Sequence, residues 1–262
     1  MNNRLARLMR KFGRRPNPPR PPKPTVTLAE MIAVKSAFAR ETGGILRVNH
    51  PHADFVPVET RFVAKPRGTI FAFSGLTGVM GMTPKNLAKM FKNSRRDLVI
   101  IKDVHQDWYQ SGLAGVAKSR AEMTDFLYDN FGGCPRPWLF IGSCEGGFAA
   151  MHFGLNLQAN KIIVYSPQSH VTGACFEFYR HETPNAAGFD ADDPENDILQ
   201  HPELGHPATE VTVYYSDLSQ MDYDEAARLF GTSNTKFHPV ETTWHNSALV
   251  LKKAGKLMAT LK

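Results

Sequence analysis

From residue 69 onward, short apolar runs alternate with stretches that carry helical periodicity. Thr69-Ile70-Phe71-Ala72-Phe73-Ser74 is nearly continuous in apolar side chains, as expected of a strand buried on both faces. The pattern then predicts a helix at about 84–93, a strand at 97–102, a helix at about 117–131 and a strand at 137–141. It continues with a helix at 145–156, strands at 161–165 and 211–215, a helix at 222–230, a strand at 235–240 and a helix at 246–258. Upstream, Thr27 and Glu30 form a capping box for a helix that Gly43-Gly44 closes. Residues 45–49 and 55–64 are expected as strands. Strands that alternate with helices imply an α/β fold, a doubly wound and mostly parallel sheet with helices on both faces.

The rhythm breaks in two places. Residues 1–24 combine a short apolar face (Leu5, Leu8, Met9, Phe12) with basic residues and a Pro-rich stretch from Pro16 to Pro24. The sequence supports two readings of this segment: a basic amphipathic helix on an extended spacer, able to rest on an anionic membrane surface, or a solvated tail. Residues 167–207 are rich in Pro, Asn, Asp and His, which fits a cap over an active site and a solvated insertion equally well. The expected organisation is therefore a tail at 1–24 and one folded domain at 25–262 with an insertion at 167–207.

Charge sharpens that division. The net charge is +6, but eight of the 31 Lys and Arg lie before residue 25, where no acid occurs. The remainder holds 23 basic and 25 acidic residues, a net of −2. A near-neutral body argues against nucleic acid as a partner. The three cysteines show no disulfide or metal-ligand spacing, and neither a metal nor a cofactor is expected. No signal peptide and no spanning segment is read, so the expected location is the cytoplasm, with the tail as a peripheral contact at the inner membrane face.

The sharpest chemical signal is Gly142-Ser143-Cys144-Glu145-Gly146-Gly147, between a predicted strand and a predicted helix. A nucleophile held out on so sharp a turn adopts a strained backbone, and the residues two before and two after it have no room for side chains. Gly142 and Gly146 meet that need. The turn also sets Cys144 at a helix N-terminus, where the dipole favours a thiolate. On such scaffolds the partners follow in the order nucleophile, acid, histidine. His245 lies between the last predicted strand and the closing helix. Asp222 and Asp217 both follow strand 211–215; Asp222 is preferred on loop length, with a helix N-cap as its other role. Backbone N–H groups of Leu76, after the strand ending at Ser74, and of Glu145 are the expected oxyanion donors. Asp103, His105, Gln168 and His170 follow predicted strands and are expected to line a pocket. The Glu145 side chain is expected to place negative charge beside the nucleophile and to disfavour anionic substrates.

With these pieces in place the chain resembles the α/β-hydrolase superfamily over about residues 45–258. More narrowly, Phe73-Ser74-Gly75, the stretch Asp103 to Gly115, the elbow, Ser166-Pro167-Gln168 and His245-Asn246 resemble small bacterial α/β-hydrolase-like proteins, some linked to cell-surface polysaccharide clusters. In that set the elbow usually carries serine, so this chain departs at the nucleophile itself. Dienelactone hydrolases and polyhydroxyalkanoate synthases are similar at the elbow and carry cysteine. The resemblance implies a hydrolase acting on an ester or thioester of a small molecule or saccharide through Cys144, His245 and Asp222, and its register supports Asp222 as the acid. An acyltransferase using the same residues and a non-catalytic binding or scaffold protein are the alternatives.

Overall fold

The computed structural model describes residues 45–47, 57–76, 78–172, 190 and 192–261. The tail at 1–24, the capping-box helix and the middle of the 167–207 insertion lie outside the described residues. The strands are β1 (Ile45–Arg47), β2 (Val58–Arg61), β3 (Thr69–Phe73), β4 (Asp97–Ile101), β5 (Trp138–Cys144), β6 (Lys161–Pro167), β7 (Glu210–Ser216) and β8 (Thr235–Val240). The α-helices are α1 (Pro84–Met90), α2 (Arg120–Phe131), α3 (Glu145–Asn156), α4 (Gln220–Arg228), α5 (Ser247–Lys253) and α6 (Leu257–Thr260). All eight strands form one sheet in the order β1-β2-β4-β3-β5-β6-β7-β8.

Connections decide the strand directions. β2 runs antiparallel to both β1 and β4, whereas β4, β3, β5, β6, β7 and β8 pair in parallel, as crossovers through helices require. The chain steps outward from β3 to β4 and then returns across β3 to β5. This reversal opens a crevice at the carboxyl ends of β3 and β5, where sheets of this kind bind ligands.

The central strands are buried throughout, and their side chains sort by parity into two cores. Phe71, Phe73, Val99, Ile101, Phe140 and Val164 pack with residues of α2 and α3, including Met123, Phe126, Phe148 and Phe153. Ile70, Ala72, Leu98, Ile100, Ile141 and Ile163 pack on the other face with Leu87 of α1, Ala248 of α5 and Leu257 of α6. Burial on both faces explains why these strands read as runs and not as alternation.

Two expectations change. The predicted helix at 246–258 is two helices. Gly255 adopts φ 69°, its N–H donates to Lys252 O and the Lys256 N–H to Leu251 O, a Schellman stop that needs glycine after the cap. β5 runs on beyond residue 141 through Gly142 and Ser143 to Cys144. Apolar patterning ends at Ile141, but pairing with β6 carries the strand to the elbow.

Candidate active site

Cys144 is the last residue of β5 and the N-cap of α3, with φ 55° and ψ −127°. Such a conformation is costly for a residue with a side chain, and the glycines around it show how it is held. A Cβ on Gly142 would lie 1.9 Å from Gly146 O, and one on Gly146 would lie 2.5 Å from Phe73 O. Neither distance is physically available, so the elbow closes only with glycine at both positions. A Cβ on Gly147 would lie 2.8 Å from Pro167 Cβ, so glycine there lets α3 settle against β6. The Cys144 side chain remains partly exposed.

The loop after β8 brings His245 to this corner. Its Nδ1 hydrogen-bonds Asp222 Oδ1 at 2.5 Å, and the ring also hydrogen-bonds the Cys144 thiol. The His245 side chain is 19% exposed and that of Asp222 only 1%. Burial opposes the imidazolium, but the neighbouring Cys144 thiolate and the Asp222 carboxylate outweigh it and hold His245 well above its ordinary range. Of the two acids, Asp222 meets the imidazole. It is not an N-cap: Ser219 caps α4 and accepts the Asp222 N–H. That leaves the Asp222 carboxylate, in the first turn, free to turn toward the histidine.

The loop bearing Leu76 lies against the elbow. A Cβ on Gly75 would sit 3.0 Å from Ser143 O and 3.7 Å from Cys144 Cβ, and Gly75 and Gly78 exchange backbone hydrogen bonds that fix the turn. The Glu145 N–H opens α3, where the first amides of a helix lack partners of their own.

The expectation for the Glu145 side chain is overturned. It is fully buried, beside the Asp103 carboxylate, with which it shares a side-chain hydrogen bond. Burial, then the neighbouring Asp103 carboxylate, push it well above the ordinary carboxyl range, so Glu145 is neutral beneath the elbow. Asp103 is held in place by the backbone that follows it. Its two oxygens accept the backbone N–H groups of His105, Gln106, Asp107 and Tyr109.

No protein-family model and no curated protein matches the chain. Solved structures do. A capsule O-acetyltransferase of Neisseria meningitidis serogroup A, in complex with CoA, superposes with a TM-score of 0.58 at 13% identity, covering 82% of this chain and 94% of that one. Carboxyl esterase 2 of Tuber melanosporum gives 0.54 at 17% identity, with 83% and 82% covered. The fluorophosphonate-binding serine hydrolase F of Staphylococcus aureus, substrate bound, gives 0.53 at 12% identity, with 84% and 98% covered. The chain has the α/β-hydrolase fold.

Within this α/β-hydrolase fold the four expected pocket residues separate. Asp103 borders a cleft beside the 74–79 loop. His105 borders a different cleft, with Ser111 and Lys118. His170 is half-buried, its ring hydrogen-bonded to Thr172 and its backbone paired antiparallel with that of Asp197. Gln168 is fully buried and accepts from the Trp108 indole N–H. Residues 192–200, at the end of the insertion, dock on the body through Asn196, which accepts from Arg120, and through the Arg228–Asp197 ion pair.

Sequence reading missed the hydroxyls under the histidine loop. Ser166, held at φ 42°, lies 2.9 Å from Ser247 Oγ and 3.2 Å from Ser216 Oγ. Ser216 donates to Trp244 O at 2.6 Å. These serines tie β6, β7 and α5 to the residue that precedes His245. Their only linear signal was a serine at the end of each of three elements, too common a pattern to stand out.

Proposed function

We propose that this protein is a hydrolase of esters or thioesters that works through a covalent thioester on Cys144, with His245 as base and acid and Asp222 as the group that orients it. The observation that carries this reading is one imidazole hydrogen-bonded both to a buried carboxylate and to a thiol on a strained, glycine-closed elbow. The thiolate attacks the carbonyl carbon, and the displaced π pair settles on oxygen, met by the Leu76 and Glu145 N–H groups. Collapse breaks the bond to the leaving group, which takes the proton of His245. Water then adds to the acyl carbon as His245 takes its proton, and the second collapse releases the acid and restores the thiolate–imidazolium pair. An acceptor hydroxyl in place of water gives acyl transfer. The likeness in fold to a capsule O-acetyltransferase solved with CoA supports testing saccharide and CoA-type substrates.

Intact-mass spectrometry after exposure to acetyl and longer acyl thioesters tests the reading. An acyl adduct on Cys144 is expected in the wild type and a greatly reduced yield in His245→Ala. If neither protein acylates with any chain length, the covalent thioester reading fails.

A further inference from the structure

We infer that the cleft between the loops after β3 and β4 is the acyl-chain subsite, and that it takes a neutral, short acyl chain. The inference rests on the catalytic reading above and adds the half of the substrate that reading leaves open.

Four groups surround the tetrahedral carbon: the Cys144 sulfur, the oxyanion, the leaving or accepting group, and the acyl chain. Proton transfer requires the leaving or accepting group to stand beside His245, on the β8 side. The oxyanion faces the Leu76 and Glu145 N–H groups. The acyl chain is therefore directed away from His245, across Leu76, toward β3 and β4. A cleft of about 270 Å³ opens there, walled by Leu76, Val79, Pro84, Lys102, Asp103 and Val104. Cys144 and His245 stand outside this wall, so the chain reaches the cleft by crossing Leu76.

The wall also selects chemistry. Its two charged side chains are each engaged by the protein: Lys102 Nζ pairs with Glu59 Oε1 at 2.7 Å, and the Asp103 oxygens accept four backbone N–H groups. What remains toward the cleft is mostly the apolar surface of Leu76, Val79, Pro84 and Val104, with the Gln106 amide and the Ser74 hydroxyl as its uncharged polar groups, a lining that favours a neutral chain. At roughly 30 Å³ per water-sized group, about 270 Å³ holds at most about nine such groups, and fewer for a chain that fills it imperfectly.

The experiment is the chain-length profile of kcat/KM for p-nitrophenyl acetate, butanoate, hexanoate and decanoate, with intact-mass detection of the Cys144 adduct in each case. The wild type is expected to peak at butanoate or hexanoate and to fall at decanoate. Val104→Trp should lower the hexanoate-to-acetate ratio about tenfold or more, the scale on which an apolar pocket reads single methylenes. Val104→Ala, which guards against a misfolded Trp variant, should move the peak to a longer chain. Adducts that form while both variants keep the wild-type profile overturn the subsite and leave the catalytic reading standing. Absence of any adduct with every ester overturns both.

Discussion

The imidazole of His245 sits between one buried carboxylate and one thiol, and its raised affinity for a proton has two consequences. The stabilising charge pairs are fully present below the ordinary histidine value of about 6.5, where folded and unfolded chains are both protonated. They are lost only as pH rises through the raised value of the folded state. On the proposed mechanism, Cys144 reacts as a thiolate across the window between. Alkylation by iodoacetamide should therefore be fast near neutrality and flat with pH, whereas His245→Ala should restore an inflection near 8.5, the ordinary thiol value. A wild-type inflection at the ordinary value would remove the ion pair from the mechanism. Glu145 behaves in the opposite sense. Its proton is retained in the folded state well above the ordinary range, while the unfolded chain releases it near 4.3. Folding is thus opposed increasingly as pH rises above that point. Glu145→Gln keeps the backbone N–H and removes the titration, so its Tm should exceed that of the wild type by a margin that grows between pH 5 and pH 8.5. A margin independent of pH would mean that Glu145 already ionises in place.

At the scale of elements, the sequence made the elbow legible because its requirement is local: two glycines at fixed offsets around Cys144, on a turn between an apolar run and a helix. Chain order singled out His245 and two acids, and the structure hydrogen-bonds the His245 side chain to Asp222; both acids follow β7, and the choice depends on how α4 begins. Ser219 takes the cap and so releases the Asp222 carboxylate. The stop at Gly255 and the hydroxyls of Ser166, Ser216 and Ser247 were hidden for one reason. Each depends on hydrogen bonds that no hydrophobic period reports. Those hydroxyls carry a prediction of their own. Ser216 holds the carbonyl of Trp244, the residue before His245, at 2.6 Å. Ser216→Ala should loosen the histidine loop and cost about 1–2 kcal/mol, a five- to thirty-fold loss in acylation rate. The pH at which Cys144 alkylation inflects should rise with it. A merely structural serine would lower Tm and leave that pH in place.

Across the whole molecule, the alternation of runs and helices predicted the sheet because both faces of β3, β4, β5 and β6 are covered, and continuous apolar character is what double burial requires. The order of the strands was not legible, since the outward step to β4 and the return across β3 depend on packing between segments far apart in sequence. That reversal places the Leu76 loop beside Cys144 and makes the crevice. Charge is the remaining property that belongs to the molecule as a whole. Residues 1–24 carry eight basic side chains and no acid, while the rest of the chain has a net charge of −2. We propose that the tail brings the folded body to an anionic surface, with attraction of about 1 kcal/mol for each basic residue near it. The full chain should then co-sediment with vesicles containing phosphatidylserine and be released as salt rises, because the Debye length shortens to about 8 Å at physiological ionic strength. A chain lacking residues 1–24 should stay in solution and still alkylate at Cys144 at the wild-type rate. Binding that persists in high salt, or in the truncated chain, would assign membrane contact to apolar surface on the folded body.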